Sequence, residues 1–169
     1  MHDLPSEIKR TPWDARVLKI PTYEILELSD HVIQWMDNYR GHYTLRKNPL
    51  EPKGSLEQLG FYYCDTLLEP FCSKNYLVVY PDSNFHVRKA THLERLLPFC
   101  KEVFAHDRFH KDKNISSGKA DLRYVNWLSD LFQDNGVFSL WHKDDLVGFW
   151  AYQHNSIVLH AIKKDFQGK

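Results

Sequence analysis

The residues that first suggest chemistry lie in the stretch AIKKDFQGK, residues 161–169. An apolar segment that alternates like a β-strand precedes it, and the stretch itself holds Lys163, Lys164 and the run Gln167-Gly168-Lys169. Backbone N–H groups of a glycine loop at a helix N-terminus bind phosphate groups, and lysine side chains add positive charge. The sequence therefore predicts a strand that leads into the first half of a phosphate-binding loop, whose second half is expected beyond Lys169.

Histidines offer two further possibilities. His106 and His110 are four residues apart and could share a helix face as metal ligands. No cysteine or carboxylate completes an obvious third-ligand pattern, so we expect solvated loop histidines and no metal. His160 in the last strand could act as a base, but we prefer a buried, hydrogen-bonded histidine within a sheet.

The elements before residue 82 alternate between strand and helix. The segment VLKIPTYEILEL predicts two short strands around Pro21, and SDHVIQWMDNYR predicts a helix capped by Ser29 or Asp30. A short helix in SLEQLGF should end at Gly60, since glycine readily adopts the left-handed conformation at helix ends. The segments FYYCDTLLE and YLVVY predict two more strands.

From Phe85 onward the predicted order is strand, helix, helix and three strands. Thr91 and Glu94 form a capping-box pattern, and Pro98 should kink the first helix. The segment ADLRYVNWLSDLF predicts a second helix, with an apolar face made of Leu122, Val125, Leu128 and Phe132. The segments VFSLWH, LVGFWAYQ and SIVLHAI, joined by short polar turns, predict an antiparallel meander. Both faces of the last strand are largely apolar, which predicts a central, buried strand. The preceding strand is expected to pair with one edge, and the partner for the other edge is expected to be missing from this chain.

Bulk composition excludes several classes of function. Lys plus Arg equals Asp plus Glu at 22 each, so the chain has no cationic excess for general nucleic-acid binding. The apolar runs are too short to span a bilayer, and no secretory signal precedes residue 10. The three cysteines include no CxxC pair, which predicts free, buried thiols and a cytoplasmic protein.

The order of elements from Phe85, the strand SIVLHAI and the spacing to Gln167 resemble the GNAT (GCN5-related) N-acetyltransferase family. In that family a fourth strand leads into a loop of pattern Gln/Arg-x-x-Gly-x-Gly/Ala, to which residues 167–169 are similar. The segments TPWDARVLKIPTYEI, LEQLGFYY, VFAHDRFHKD and LRYVNWLSDLF resemble the subgroup of dTDP-fucosamine N-acetyltransferases. The expected fold class is α/β (α+β), with a mixed, mostly antiparallel sheet flanked by helices. This GNAT-like fold, without its C-terminal part, is expected over residues 83–169, and a small α/β lobe over residues 1–82.

The resemblance implies that acetyl-CoA is the co-substrate and that a small amine, plausibly on a nucleotide-linked sugar, is the acceptor. By the same resemblance, the backbone of His160, Ala161 and Ile162 would hold the pantetheine and polarise the thioester. Gln167, Gly168 and Lys169 would contact the pyrophosphate. Ser156 stands where some members carry a glutamate base, so no catalytic acid or base is assigned and the activity of this chain alone is expected to be low.

Two interpretations stay open for Arg108 and Phe109, which lie in the loop that borders the acceptor site in this family. They could bind a diphosphate and stack on a sugar or base, or they could be an ordinary surface arginine and a helix-end aromatic residue. The alternative function for the whole chain is a non-catalytic binding or interaction domain. An unpaired last strand would also predict oligomers through the open sheet edge.

Overall fold

The computed structural model describes residues 4–68, 71–76, 78 and 82–168. The chain divides into two units, Met1–Tyr63 and Cys64–Lys169. The fold is mixed α/β, with one mixed sheet, one antiparallel sheet and helices. The predicted boundary between the two parts of the chain lies near residue 82. Residues 77 and 79–81, just before it, lie outside the described residues, and so does most of the predicted strand YLVVY.

The first unit is a small sheet with helices. Strand β2 pairs antiparallel with β1 and parallel with β3, in the order β1-β2-β3. A core formed around Val32, Trp35 and Ile25 packs the sheet against α2. The elements are β1 (Ile8–Arg10), α1 (Pro12–Leu18), β2 (Thr22–Ile25), α2 (Asp30–Asn38), β3 (His42–Leu45) and α3 (Gly54–Gln58).

The first predicted strand of this unit is wrong, because Val17 lies in helix α1. Pro12 occupies the first turn of α1, where its fixed φ favours a helix and its missing N–H costs nothing. The helix at residues 30–38 is confirmed, and the Ser29 hydroxyl caps it by accepting from the Val32 N–H at 3.3 Å. The predicted strand FYYCDTLLE is also wrong, since residues 61–68 form no strand.

The second unit is a four-stranded antiparallel meander in the order β4-β5-β6-β7, with helices against one face. The buried side chains of β5, β6 and β7 meet Leu96, Phe99 and Leu128 from the helices. The strands are β4 (Phe85–Lys89), β5 (Val137–His142), β6 (Asp145–Gln153) and β7 (Ser156–Ile162). The helices are α4 (Leu97–Glu102), α5 (Arg108–Lys111) and α6 (Ser117–Gln133), with single 3-10 turns at Lys74–Tyr76, Leu93–Arg95 and Lys164–Phe166.

The meander is confirmed, including the tight turn at His154 and Asn155. Both turn residues have positive φ, 48° and 63°, as a two-residue hairpin turn with the sheet's natural twist requires. Among the described residues β7 pairs with β6 alone, and Ile157 is 65% exposed. The prediction of a strand buried on both faces is therefore wrong for this chain: Leu159 and Ala161 face the core, and His160 is exposed.

Two predictions for the helices need correction. Pro98 lies in the first turn of α4 and begins that helix instead of kinking it, and Thr91 caps no helix. In α6 the buried face is made of Ala120, Tyr124, Leu128 and Leu131, while Leu122 is 47% exposed. The face of α6 that packs on the sheet is therefore offset by about one residue from the predicted apolar face.

Strands β6 and β7 approach each other closely at Gly148, and this approach leads to a first prediction. A Cβ atom at position 148 would lie 2.3 Å from the Ala161 carbonyl oxygen. We expect Gly148→Ala to lower the free energy of unfolding by ~1–3 kcal/mol, since backbone on both strands would have to move. The measurement is urea denaturation followed by circular dichroism.

The matched control is Gly118→Ala in α6, where a Cβ atom would meet nothing within 4 Å. This variant should change the free energy of unfolding by less than about 1 kcal/mol. Equal stability of wild type and Gly148→Ala would contradict the close approach of β6 and β7.

Candidate functional site

The candidate site is a pocket of about 500 Å³ beside β7, wholly within the second unit. It lies where the C-terminal half of β7 and the turn after it face the chain that follows α4 and the middle of α6. The strand side is apolar except for His160, and the helix side is largely aromatic. The lining residues are Val103, Phe104, Tyr124, Trp127, Val158, Leu159, His160, Ala161, Ile162, Gln167 and Gly168.

The backbone of β7 presents polar groups at this pocket. The Lys163 N–H donates to the Val147 carbonyl at 2.8 Å, so Lys163 directs its groups toward β6. Backbone groups of successive residues in a strand point to opposite sides, so those of Ala161 also point toward β6, its register partner being Phe149. The N–H and C=O groups of His160 and Ile162 therefore point away from β6, to the outer edge of the sheet.

The turn after β7 closes back on this edge. The Gln167 side-chain amide donates from Nε2 to the Ile162 carbonyl at 2.9 Å, which agrees with an outward-pointing Ile162 carbonyl. Gly168 has φ 76°, a left-handed conformation that glycine adopts without strain. Five of the predicted cofactor-contacting residues thus line one pocket: His160, Ala161, Ile162, Gln167 and Gly168. The sixth, Lys169, lies outside the described residues.

The helix side of the pocket is a wall of stacked aromatic rings. The Phe104 and Tyr124 rings stack with centroids 4.2 Å apart and planes 14° apart, and Trp127 is tilted beside Tyr124 at 6.5 Å. Burial raises the pKa of the Tyr124 phenol, and the nearby Asp107 carboxylate, which also hydrogen-bonds it, raises it further. Tyr124 is therefore a neutral phenol at physiological pH, and the wall offers an apolar surface with one polar atom.

Behind this wall, His110 is clamped between two carboxylates. Its Nδ1 lies 2.5 Å from Asp107 Oδ2, and its Nε2 lies 3.1 Å from Asp121 Oδ1. Burial opposes the charged form, but the two hydrogen bonds and carboxylate charges outweigh it, so the pKa of His110 is raised. The His110 side chain is only 9% exposed, which corrects the prediction of a solvated loop histidine.

Arg108 and Phe109, the two predicted acceptor-site residues, lie in helix α5 and do not line the pocket. Phe109 is 3% exposed, and its ring packs edge-on against Tyr124 at 6.5 Å. The guanidinium groups of Arg108 and Arg123 lie over the Phe109 ring at 4.8 Å and 4.0 Å. Because the ring is buried and contacts these groups, Phe109 offers little area for a ligand to stack on.

Sequence reasoning missed Asp107, Asp121 and the role of Tyr124. A local signal was present, since Asp107 precedes a short helix and His110 follows three residues later. The Asp107 Oδ1 caps α5 by accepting from the Phe109 N–H at 2.7 Å. Asp121 is 11 residues from His110 and belongs to another helix, so only the packing of α5 on α6 reveals it.

Other classes of site find no support in the described residues. Within residues 4–68, 71–76, 78 and 82–168, no group of three or more His, Cys, Asp or Glu side chains is placed to hold a metal ion. None of the helices in those ranges has the length and apolar character that crossing a bilayer requires. No protein-family model, no curated protein and no solved structure matches the chain.

The thiols report on the packing around the pocket and give a second prediction. Cys100 of α4 is buried, and burial, with a smaller effect of the Asp121 charge, raises the pKa of its thiol to about 12. Cys72 is exposed, which corrects the expectation that all three thiols are buried, and Cys64 is half-buried with its pKa raised by burial. In Ellman titration at neutral pH, we expect Cys72 to react fast, Cys64 slowly and Cys100 only after unfolding.

Single Cys→Ser variants assign each phase. Reaction of Cys100 in the native protein at the rate of Cys72 would contradict the tight packing of α4 on α6 and β7.

Proposed function

We propose that the second unit binds the acyl-pantetheine part of acetyl-CoA along the outer edge of β7 and belongs to an N-acetyltransferase of GNAT type. The observation that carries the proposal is the combination, in one pocket, of outward-pointing backbone groups at His160 and Ile162 with the Gln167-Gly168 turn. A pantetheine chain carries amides that pair with strand backbone groups much as another strand would. The apolar and aromatic lining suits the methylene segments between those amides.

The chemistry would be direct attack of a neutral amine on the thioester carbonyl. An edge N–H of β7 that donates to this carbonyl would stabilise the negative charge that develops on its oxygen in the tetrahedral intermediate. The C–N bond forms first and gives the tetrahedral intermediate; its collapse restores the carbonyl and breaks the C–S bond. The attacking nitrogen loses a proton, and the departing thiolate gains one. We assign neither proton transfer to a residue of this chain.

Lysines near the turn would bind the diphosphate end of the same ligand. Lys163 and Lys164 directly follow β7, and both are exposed in the described structure. With Gln167 and Gly168 lining the pocket nearby, the cofactor's negative charge would meet positive charge and backbone N–H groups. The acceptor that we propose, an amine on a nucleotide-linked sugar, rests on the sequence resemblance. The cytoplasmic location that we propose rests on the three cysteines without a CxxC pair.

A second candidate function is a binding domain that retains the cofactor edge without catalysis. The observation that favours it is Ser156 at the start of β7, because a hydroxyl there cannot serve as the general base. In addition, the Tyr124 phenol in the pocket is engaged with the Asp107 carboxylate, which makes it a poor acid. On this candidate, acetyl-CoA binds but is not turned over with any amine.

The experiment is isothermal titration of acetyl-CoA into wild type and the variant His160→Pro. Proline lacks the N–H that would pair with the ligand, and position 160 points away from β6, so no bond between strands is removed. We expect acetyl-CoA to bind wild type and the variant to bind about two- to tenfold more weakly, the value of one hydrogen bond.

Ile157→Pro is the matched control. The pairing register shifts between Ala151 and Tyr152, and the Tyr152 N–H donates to the Gly136 carbonyl, away from β7, so its partner Ile157 points to the outer edge. Residue 157 does not line the pocket. It should bind acetyl-CoA like wild type. The proposal fails if wild type does not bind, or if both proline variants weaken binding equally.

A further inference from the structure

A chain of polar contacts links His110 to the pocket wall. The His110 ring lies nearly parallel to the Tyr124 ring at 6.3 Å and bonds the Asp107 carboxylate. That carboxylate also hydrogen-bonds the Tyr124 side chain, which lines the pocket and stacks on Phe104. Through Asp121, His110 is bonded to α6 as well. The imidazole thus ties α5 and its N-terminal cap to the helix that carries Tyr124 and Trp127.

These contacts require a particular protonation state. Each imidazole nitrogen faces a carboxylate oxygen, and a carboxylate only accepts hydrogen bonds, so both nitrogens must carry a proton to donate. Neutral imidazole has one N–H and would direct a lone pair at one of the two carboxylates. The 3.1 Å contact to Asp121 is longer than the 2.5 Å contact to Asp107, so the proton toward Asp121 is the one that we expect to be lost.

We propose that His110 is a positioning residue for the pocket: when doubly protonated it holds Tyr124 in the wall, and when it loses one proton it releases the link between α5 and α6. The inference concerns the wall itself and does not require a particular ligand. With the proposed function, it makes acetyl-CoA affinity depend on pH.

Among the described residues, the thiol, phenol and arginine groups around the cluster do not compete with His110 as the source of this pH dependence. The Cys100 thiol has its pKa raised to about 12, chiefly by burial, and the pKa of the Tyr124 phenol is raised as well. Arginine stays charged throughout the range in which histidine titrates. The charged and titratable groups that face the cluster are Asp107 and Arg108 at α5, Asp121, Arg123 and Tyr124 on α6, and Cys100 on α4.

The direction of the effect follows from the raised pKa of His110. Its ordinary value is 6.5, and the folded protein favours the charged form. Below that value the two hydrogen bonds between His110 and the carboxylates contribute fully to stability. Their contribution is lost as pH rises through the higher, folded-state pKa. The wall should therefore be well ordered in mildly acidic solution and looser in alkaline solution.

The test is NMR of the ligand-free chain from about pH 5.5 to about pH 8.5, across the titration range of histidine. The probes are the His110 Cε1–H signal and the indole N–H signal of Trp127, assigned with Trp127→Phe. We expect His110 to titrate with a pKa above its ordinary value of 6.5, and the Trp127 signal to follow the His110 titration curve. In His110→Gln the Trp127 signal should no longer change over this range.

His106→Gln is the matched control, since His106 is an exposed histidine four residues away. It should leave the Trp127 titration unchanged. Asp121→Asn removes one carboxylate, so it should lower the pKa of His110 and shift the Trp127 transition to lower pH. A merely structural role for His110 would not produce that coupled shift, and this variant decides the question if His110→Gln fails to fold.

The proposal is overturned if Trp127 does not titrate in wild type, or if its titration persists in His110→Gln. With acetyl-CoA present, affinity should fall several-fold as pH rises through the same pKa. Absence of acetyl-CoA binding at every pH would refute only the proposed function, because the ligand-free titration tests the role of His110 independently.

Discussion

The close approach of β6 and β7 at Gly148 is the constraint on which the candidate site depends. A Cβ atom at position 148 would lie 2.3 Å from the Ala161 carbonyl oxygen, so this local backbone approach requires glycine. In the resulting register, the backbone N–H and C=O groups of Ala161 point toward β6, and those of His160 and Ile162 point to the outer edge of the sheet. A slip of one residue would exchange these directions, and the pocket edge would then present different backbone groups.

Strand β7 supplies the backbone groups of the pocket, and the helices add an aromatic wall and a charged cluster. Phe104, Tyr124 and Trp127 form an apolar wall, and behind it His110 bridges two carboxylates at α5 and α6. Buried charge is costly unless it is paired, and this cluster pairs it on both sides of one ring. Asp107 and Tyr124 connect the cluster to the wall, so a change in the protonation of the imidazole alters the surface that a ligand would contact.

Much of the second unit could be predicted because its signals are local. Alternating side chains and short turns predict β5, β6 and β7 within a residue or two, and the helical spacing predicts α6. The first unit is harder to predict, because Val17 and Leu18 are equally compatible with a strand, and Pro12 is a local signal for the start of the helix that contains them. The open edge of β7 was predicted, but the exposure of Ile157 and His160 could not be, because apolar composition alone does not show what packs on each face of a strand.

The site was predictable in part, for the same physical reason. The residues on β7 and the turn after it follow one another in sequence, and the structure gathers them at one pocket. The Phe109 ring is buried, because packing against Tyr124 and contact with two guanidinium groups compete with exposure to a ligand. Asp121 could not be paired with His110 from sequence, because that contact exists only once two helices pack.

The most direct measurement is a map of backbone amide shifts of the 15N-labelled chain during titration with acetyl-CoA. The account predicts that the largest shifts fall on the amides of His160, Ile162 and Gly168 and on the Trp127 indole, while β4 at the far edge of the same sheet stays unchanged. Saturating acetyl-CoA without shifts at β7, or with shifts confined to β4, would contradict the assignment of this pocket as the cofactor site.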